Sequence, residues 1–177
     1  MHIRESAADD LPSMLAIING AAEAYRRAIP PDCWHEPYMP AAELEGEIAA
    51  GVRFWVAEAV PGRIEGLMGI QDRGDVTLVR HAYVAPVAQR GGVGTMLLRH
   101  LHGLADKPVL IGTWADATWA IAFYRKNGFA LASHDEKERL LRKYWSIPPR
   151  QVETSVVLGD ARWQSRREHP GAPILAP

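Results

Sequence analysis

One stretch limits the fold more than any other. Val76 to Val84 reads Val-Thr-Leu-Val-Arg-His-Ala-Tyr-Val, the strongest strand signal in the chain because β-branched and aromatic residues dominate it. Pro86 ends that run, and Gln89-Arg90-Gly91-Gly92-Val93-Gly94-Thr95 follows as a glycine-rich turn. A helix then carries apolar residues at Val93, Met96, Leu97, Leu101 and Leu104. A strand, a glycine turn and a helix in that order present unpaired backbone N–H groups at a helix N-terminus. Glycines admit close approach there, and the helix dipole favours an anion. The stretch therefore predicts a phosphate-binding loop inside an α/β unit.

The flanking sequence predicts the rest of the sheet. Ile3 to Glu5 reads as a strand, and Asp9 or Asp10 as the cap of a helix through Leu11, Met14, Leu15, Ile18, Ala22 and Tyr25. Pro30 to Pro40 is a loop rich in proline and aromatics. A second helix starts at Pro40, with Leu44 and Ile48 inward, Glu43, Glu45 and Glu47 largely outward, and Gly51 at its end. Arg53 to Val60 and Arg63 to Gln71 form a hairpin around Pro61-Gly62. Pro108 to Thr113 is a short buried strand, parallel to Val76–Val84 because a helix connects them. Ala117 to Asn127 is a helix ended by Gly128, and Phe129 to Ser133 a strand. Ser133 and Glu136 match a capping box for a helix from His134 to about Trp145. Val152 to Leu158 reads as the last strand, after Pro148-Pro149. These elements make an α/β protein with a mixed, mostly antiparallel sheet flanked by helices. Residues 1–159 form one domain, and 160–177, with Arg162, Arg166, Arg167, Pro170 and Pro173, have the composition of a tail. Were that tail ordered, it would suit packing on a second copy in a homodimer.

Composition removes several function classes. A formal net charge of -1 gives no electrostatic case for binding nucleic acid. Cys33 is the one cysteine, which excludes an internal disulfide and a multi-cysteine zinc site. No apolar run is long enough to cross a bilayer, and Met1 to Ser6 lacks the apolar core of a signal peptide. A cytoplasmic protein with no membrane partner and no metal is expected.

Three readings of the glycine loop compete. A P-loop needs a Gly-Lys-Ser/Thr closure, and no lysine stands here. A Rossmann fingerprint needs a third glycine where Leu97 stands, and a place at a first βα unit. The third reading fits. Gln89-Arg90-Gly91-Gly92-Val93-Gly94, with Tyr83-Val84-Ala85-Pro86 before it, resembles the Gln/Arg-x-x-Gly-x-Gly/Ala signature of the GNAT superfamily of acyl-CoA-dependent N-acetyltransferases. Ala120-Ile121-Ala122-Phe123-Tyr124-Arg125-Lys126-Asn127-Gly128-Phe129 resembles that family's Ala-Ile-x-Phe-Tyr-x-x-x-Gly-Phe block. The resemblance implies that acetyl-CoA lies where Val76–Val84 and Val109–Thr113 splay apart. Its pyrophosphate would sit on amides of the Gln89–Thr95 loop, with the charge of Arg90 and, at greater remove, Arg99 nearby. Its pantetheine would pair with the strand edge near Tyr83 and Val84, and the amide at Val84 would stabilise an oxyanion. It also implies that Tyr124 protonates the leaving thiolate. A thiol of pKa ~8.5 is a fair leaving group, and a phenol near ~10 can donate to it.

Other expected contacts are missing or open. The asparagine that often precedes the tyrosine by seven residues in the family is Ala117 here, and the position of a common strand base is Leu78. The base is then His81, next to Arg80, or His35 in the Trp34-His35-Glu36 loop, or a water chain. Trp114 would wall the acceptor pocket, with Trp34, Tyr38 and Trp145 as further lining. Asp116 would either hold a cationic amine or cap the next helix. The acceptor is a small-molecule or peptide amine. The departures at Leu78 and Ala117 also admit a non-catalytic acyl-CoA sensor, and a dinucleotide oxidoreductase is the weaker third reading.

Overall fold

The computed structural model describes residues 1–168, and its sheet follows from side-chain alternation. Seven strands, β1 (His2–Glu5), β2 (Arg53–Val60), β3 (Arg63–Asp72), β4 (Thr77–Val84), β5 (Val109–Trp114), β6 (Ala130–Leu131) and β7 (Ser155–Gly159), stand in the order β1-β2-β3-β4-β5-β7-β6. Every neighbouring pair is antiparallel except β4–β5, which is parallel and crosses over through α3 (Val93–Leu104). That exception is the one the sequence predicts.

Alternate residues of the strands feed two opposite layers. On one face, Trp55, Met68, Val79 and Ile111 meet Leu97, Leu98 and Leu101 of α3 and Tyr124 of α4 (Thr118–Lys126). On the other, Phe54, Val56 and Leu67 meet Met14 and Ile18 of α1 (Leu11–Ala22) and Leu44 of α2 (Ala41–Ala49). Further along that second face, Leu78, Leu110 and Val157 meet Leu140, Leu141 and Val152. These come from α5 (His134–Tyr144) and α6 (Pro149–Glu153). Leu97 and Leu101 are fully enclosed, so truncating either to alanine costs about 2–5 kcal/mol.

β4 and β5 do not stay together. Their register runs only through Thr77↔Val109, Leu78↔Leu110 and Val79↔Ile111. β5 then keeps its partner on the far side, from Ile111↔Leu158 to Trp114↔Ser155, and β4 keeps β3. A wedge-shaped gap opens between them. Among the described residues no helix is long and apolar enough to cross a membrane.

Several local expectations need correction. Asp10 does not cap α1 with its side chain; it closes a 3-10 turn at Ala8–Asp10, accepts from the Ala7 N–H and pairs with Arg4. Ile48 is 42% exposed rather than inward, and Glu47 is the residue of that pair that turns toward the sheet. Positions 47 and 48 lie on either side of Leu44's face, and Arg80 and His81 on the sheet draw Glu47 toward it. Met96 and Leu104 are exposed, and Leu98 completes the stripe of α3 instead. Residues 149–153, expected in part as strand, form α6 because proline suits its first turn and Val152 packs inward as a helical residue. Residues 161–168 of the expected tail form α7 (Ala161–Glu168); Pro170 and Pro173 lie outside the described residues.

Candidate active site

The gap between β4 and β5 coincides with a bulge. Leu67 faces Tyr83 and Gly69 faces Arg80, so Met68 alone stands opposite His81 and Ala82. His81 takes a left-handed backbone, with φ at 51°. Past the bulge, the Ala85 N–H returns to the Glu65 carbonyl at 2.8 Å. In an antiparallel ladder the direction alternates, so the N–H and C=O of Val84 turn away from β3 and into the gap. The Gln89 side-chain amide donates to that Val84 carbonyl at 3.3 Å, tying the loop to the strand end.

The loop itself is built to expose amides. Arg90 and Gly92 have φ of 66° and 84°, and Gly92 is the N-cap of α3 in the left-handed region. The amides of Val93, Gly94 and Thr95 fall in the first helical turn, where no intrahelical acceptor exists. A Cβ at Gly94 would meet the Phe123 ring at 3.4 Å and Val84 at 3.6 Å, so the loop packs closely against α4 and the end of β4. Arg90 and Arg99 are both exposed, Arg99 further along α3.

Two cavities meet across the gap. The larger, about 590 Å³, is lined on its loop side by Val84, Gln89, Arg90 and Gly94, and on its helix side by Tyr25, Trp119, Phe123 and Tyr124. The smaller, about 130 Å³, is lined by Tyr38, Arg80, His81, Trp114, Trp145, Gln151 and Ser155 among others. Tyr25, Ala82, Tyr83 and Tyr124 line both. Tyr124 lies between the rings of Phe123 and Phe129, at 5.1 and 6.3 Å. Burial, with a smaller contribution from Tyr25, pushes the Tyr124 phenol well above its ordinary value. Burial likewise pushes Tyr25 up to about 12 and Tyr83 far up. All three phenols are therefore protonated donors at neutral pH.

Arg80 and His81 reach the smaller cavity but are not free. Arg80 donates to Glu47 Oε1 at 2.7 Å and to Gln71 Oε1 at 3.0 Å. His81 Nε2 stands 3.5 Å from Glu47 Oε2, and its ring lies 5.8 Å from that of Phe54. Burial alone would raise the Glu47 carboxyl, but His81 and Arg80 outweigh it and hold it below the usual carboxylate range.

The structure brings together Tyr83, Val84, Gln89, Arg90, Gly94, Tyr124, His81, Arg80 and Trp114. Gly91, Gly92, Val93 and Thr95 belong to the loop at the edge of the larger cavity without lining it. Two expected acceptor residues lie elsewhere. His35 is exposed, stacked on Tyr38 with ring centroids 6.1 Å apart, and its Nδ1 is 2.9 Å from the Pro37 carbonyl. Asp116 is exposed and borders neither cavity, and its side chain does not cap α4. Both corrections have one cause: each residue sits on a turn whose side chain points to water. Tyr25, Trp119, Gln151, Ser155 and Glu47 are the lining and supporting residues that sequence reasoning missed. Tyr25 and Trp119 meet edge-to-face at 5.2 Å, which only the folded chain reveals. Among the described residues no three His, Cys, Asp or Glu side chains are disposed to hold a metal ion.

Comparison with known proteins agrees with this geometry. Residues 50–131 match the family model described as an acetyltransferase (GNAT) domain. No curated protein matches the sequence. Among solved structures, PaiA N-acetyltransferase from Thermoplasma acidophilum, in complex with coenzyme A, is similar at TM-score 0.67 and 15% identity, over 90% of this chain and 97% of that one. Ribosomal-protein-alanine N-acetyltransferase from Brucella melitensis is similar at TM-score 0.59 and 27% identity, over 75% and 86%. N-acetylglutamate synthase from Neisseria gonorrhoeae, complexed with coenzyme A and N-acetyl-glutamate, is similar at TM-score 0.60 and 22% identity, over 90% of this chain and 34% of that larger one. With the parted parallel strands, the bulged β4 and the glycine loop already in place, the family match identifies residues 50–131 as an acetyltransferase (GNAT) domain.

Proposed function

We propose that this chain is an N-acetyltransferase that passes an acetyl group from acetyl-CoA directly to an amine held on the far side of the β4–β5 gap. The observation that carries this reading is the meeting of two cavities at Tyr124, which lines both. Acetyl-CoA supplies an activated thioester. The amides of Val93, Gly94 and Thr95 hold its pyrophosphate at the N-terminus of α3, and Arg90 adds charge. The strand edge at Tyr83 and Val84 orients the pantetheine arm. The Val84 N–H, turned into the gap, holds the negative charge that develops on the acyl oxygen. Tyr124 gives its proton to the departing sulfur, and its raised pKa keeps that proton in place until then. His81 takes the proton of the incoming amine. Direct transfer, without an enzyme-bound acyl group, is favoured by Cys33: burial pushes its thiol up, and it borders neither cavity.

The relatives point to the acceptor class. One bears the name of a ribosomal-protein-alanine acetyltransferase, and another is complexed with N-acetyl-glutamate. Small amines, amino acids and peptides with free N-termini are therefore the panel to test. Acetyl-CoA titration followed by a thiol-release assay over that panel decides the matter. Binding together with release for at least one amine is expected, with initial-rate lines that converge. Parallel lines would overturn direct transfer. Binding without release for every amine would replace the enzyme by an acyl-CoA sensor.

A further inference from the structure

A chain of hydrogen bonds behind the bulge runs in one direction only. The Ala50 carbonyl can only accept, and it takes the Gln71 side-chain amide at 2.9 Å. That orients the Gln71 oxygen toward Arg80, which donates to it at 3.0 Å. A guanidinium has donors and no acceptor, and its other arm donates to Glu47 Oε1 at 2.7 Å. The second carboxylate oxygen, Oε2, is left facing His81 Nε2 at 3.5 Å. That distance is long for a hydrogen bond, as it often is before substrate closes a site. Nε2 is sealed from solvent with no other partner, whereas Nδ1 is not sealed and His81 lines the smaller cavity. An ionised carboxylate only accepts. The nitrogen beside it must carry the proton, and Nδ1 must carry the lone pair.

We propose that Glu47 is a positioning residue for the acceptor-side base: it fixes His81 as the Nε2–H tautomer, so that Nδ1 faces the amine with its lone pair. This rests on the acetyltransferase reading for its catalytic part. The step is a proton transfer. An N–H bond of the acceptor ammonium breaks, its electron pair stays on the amine nitrogen, and the proton joins Nδ1. The imidazolium so formed is stabilised by the Glu47 carboxylate and returns its proton to solvent after transfer. Arg80 keeps Glu47 ionised and aimed, so the half-buried guanidinium serves the base rather than the substrate.

Glu47→Gln makes a sharp test. Arg80 will hold the new amide oxygen, because it has nothing else to donate to on that side. The amide NH2 then faces Nε2 and forces the opposite tautomer, Nδ1–H. Long-range proton–nitrogen correlation spectra of the full chain, at a pH where imidazole is neutral, read this directly, with His81 assigned by its loss in His81→Gln. The expected result is Nε2–H in the native chain and Nδ1–H in Glu47→Gln. Acetyl-CoA affinity stays within about twofold while kcat/KM falls about 10²-fold or more. Glu47→Asp, which keeps an acceptor-only oxygen, retains the Nε2–H tautomer and recovers part of the rate. Nδ1–H in the native chain, or a tautomer that Glu47→Gln leaves unchanged, overturns the proposal. Thiol release with the wrong tautomer removes Glu47 alone. The expected tautomer with no thiol release for any amine removes the acetyltransferase reading, and with it the base role of His81.

Discussion

At the scale of single residues, chemistry is separated from packing by what a side chain has left to do. The rings around Tyr124 fill its walls, yet it lines both cavities and carries a phenol oxygen. Tyr124→Phe removes that oxygen and little volume. Turnover is expected to fall about 10²-fold. The acetyl-CoA dissociation constant should rise less than about threefold, because the ring contacts survive. Thiol release and a binding titration measure the two separately, and unchanged turnover would remove the acid assignment. Tyr124 was legible because it sits inside a local block of sequence. Glu47 was not, because its partners are Arg80 and His81, more than thirty positions away, and a glutamate on an exposed helix reads as solvated. His35 and Asp116 failed in the opposite way: their residue types suit an acceptor site, and only their turns decide that they face water.

At the scale of elements, the C-terminal helix is where composition misleads most. Arg162, Arg166 and Arg167 read as a charged tail, but each guanidinium has an acceptor. Arg162 donates to the Ala105 carbonyl at 2.7 Å, past the C-terminus of α3, and Arg166 to the Asp75 carbonyl at 3.0 Å. Arg167 pairs with Glu136 at 3.0 Å. Asp160, almost fully buried, accepts the Trp163 N–H at 2.9 Å, and the Trp163 ring lies directly on Gly159. A Cβ at Gly159 would stand 2.4 Å from Trp163 Cδ1, a distance real contacts do not tolerate. Gly159→Ala should therefore lift α7 and cost about 1–3 kcal/mol. In a chain of this size that corresponds to a fall in Tm of about 2–12 °C. Acetyl-CoA affinity should not change, since the glycine loop lies elsewhere. A thermal melt unaffected by the substitution would mean that α7 behaves as the loose tail its composition suggests. The same long-range dependence explains α6. Val152 and the following Thr154 suit a strand, and only the burial of Val152 against α5 favours a helical turn.

Across the whole molecule, strand order was legible wherever a short connection or a helix left one choice: hairpins before the glycine loop, a parallel crossover after it. The cavity was not, because it depends on β4 ceasing to pair with β5 after Val79 and on a bulge at His81 and Ala82. Charge behaves similarly. A formal net charge of -1 says little about acid stability, which resides in specific pairs. Arg4 bridges three early elements, donating to Asp10 at 2.6 Å and to Glu58 at 2.8 Å, so it ties β1 to the entry of α1 and to β2. The Arg4 hydrogen bonds hold both carboxyls below their ordinary values against the opposing effect of burial. A carboxyl whose pKa is lower in the folded chain stabilises it above the unfolded value. That stabilisation disappears as pH falls through the folded value, below about pH 4. Thermal melts of the native chain should therefore lose Tm progressively as pH falls below about 4. Arg4→Met removes the cation while keeping a long apolar stem. Its Tm should be lower at neutral pH and fall less on acidification, so that the two curves approach each other as pH falls through the lowered values of Asp10 and Glu58 in the native chain. Curves that stay parallel across that range would show that Arg4 stabilises the sheet edge by packing alone.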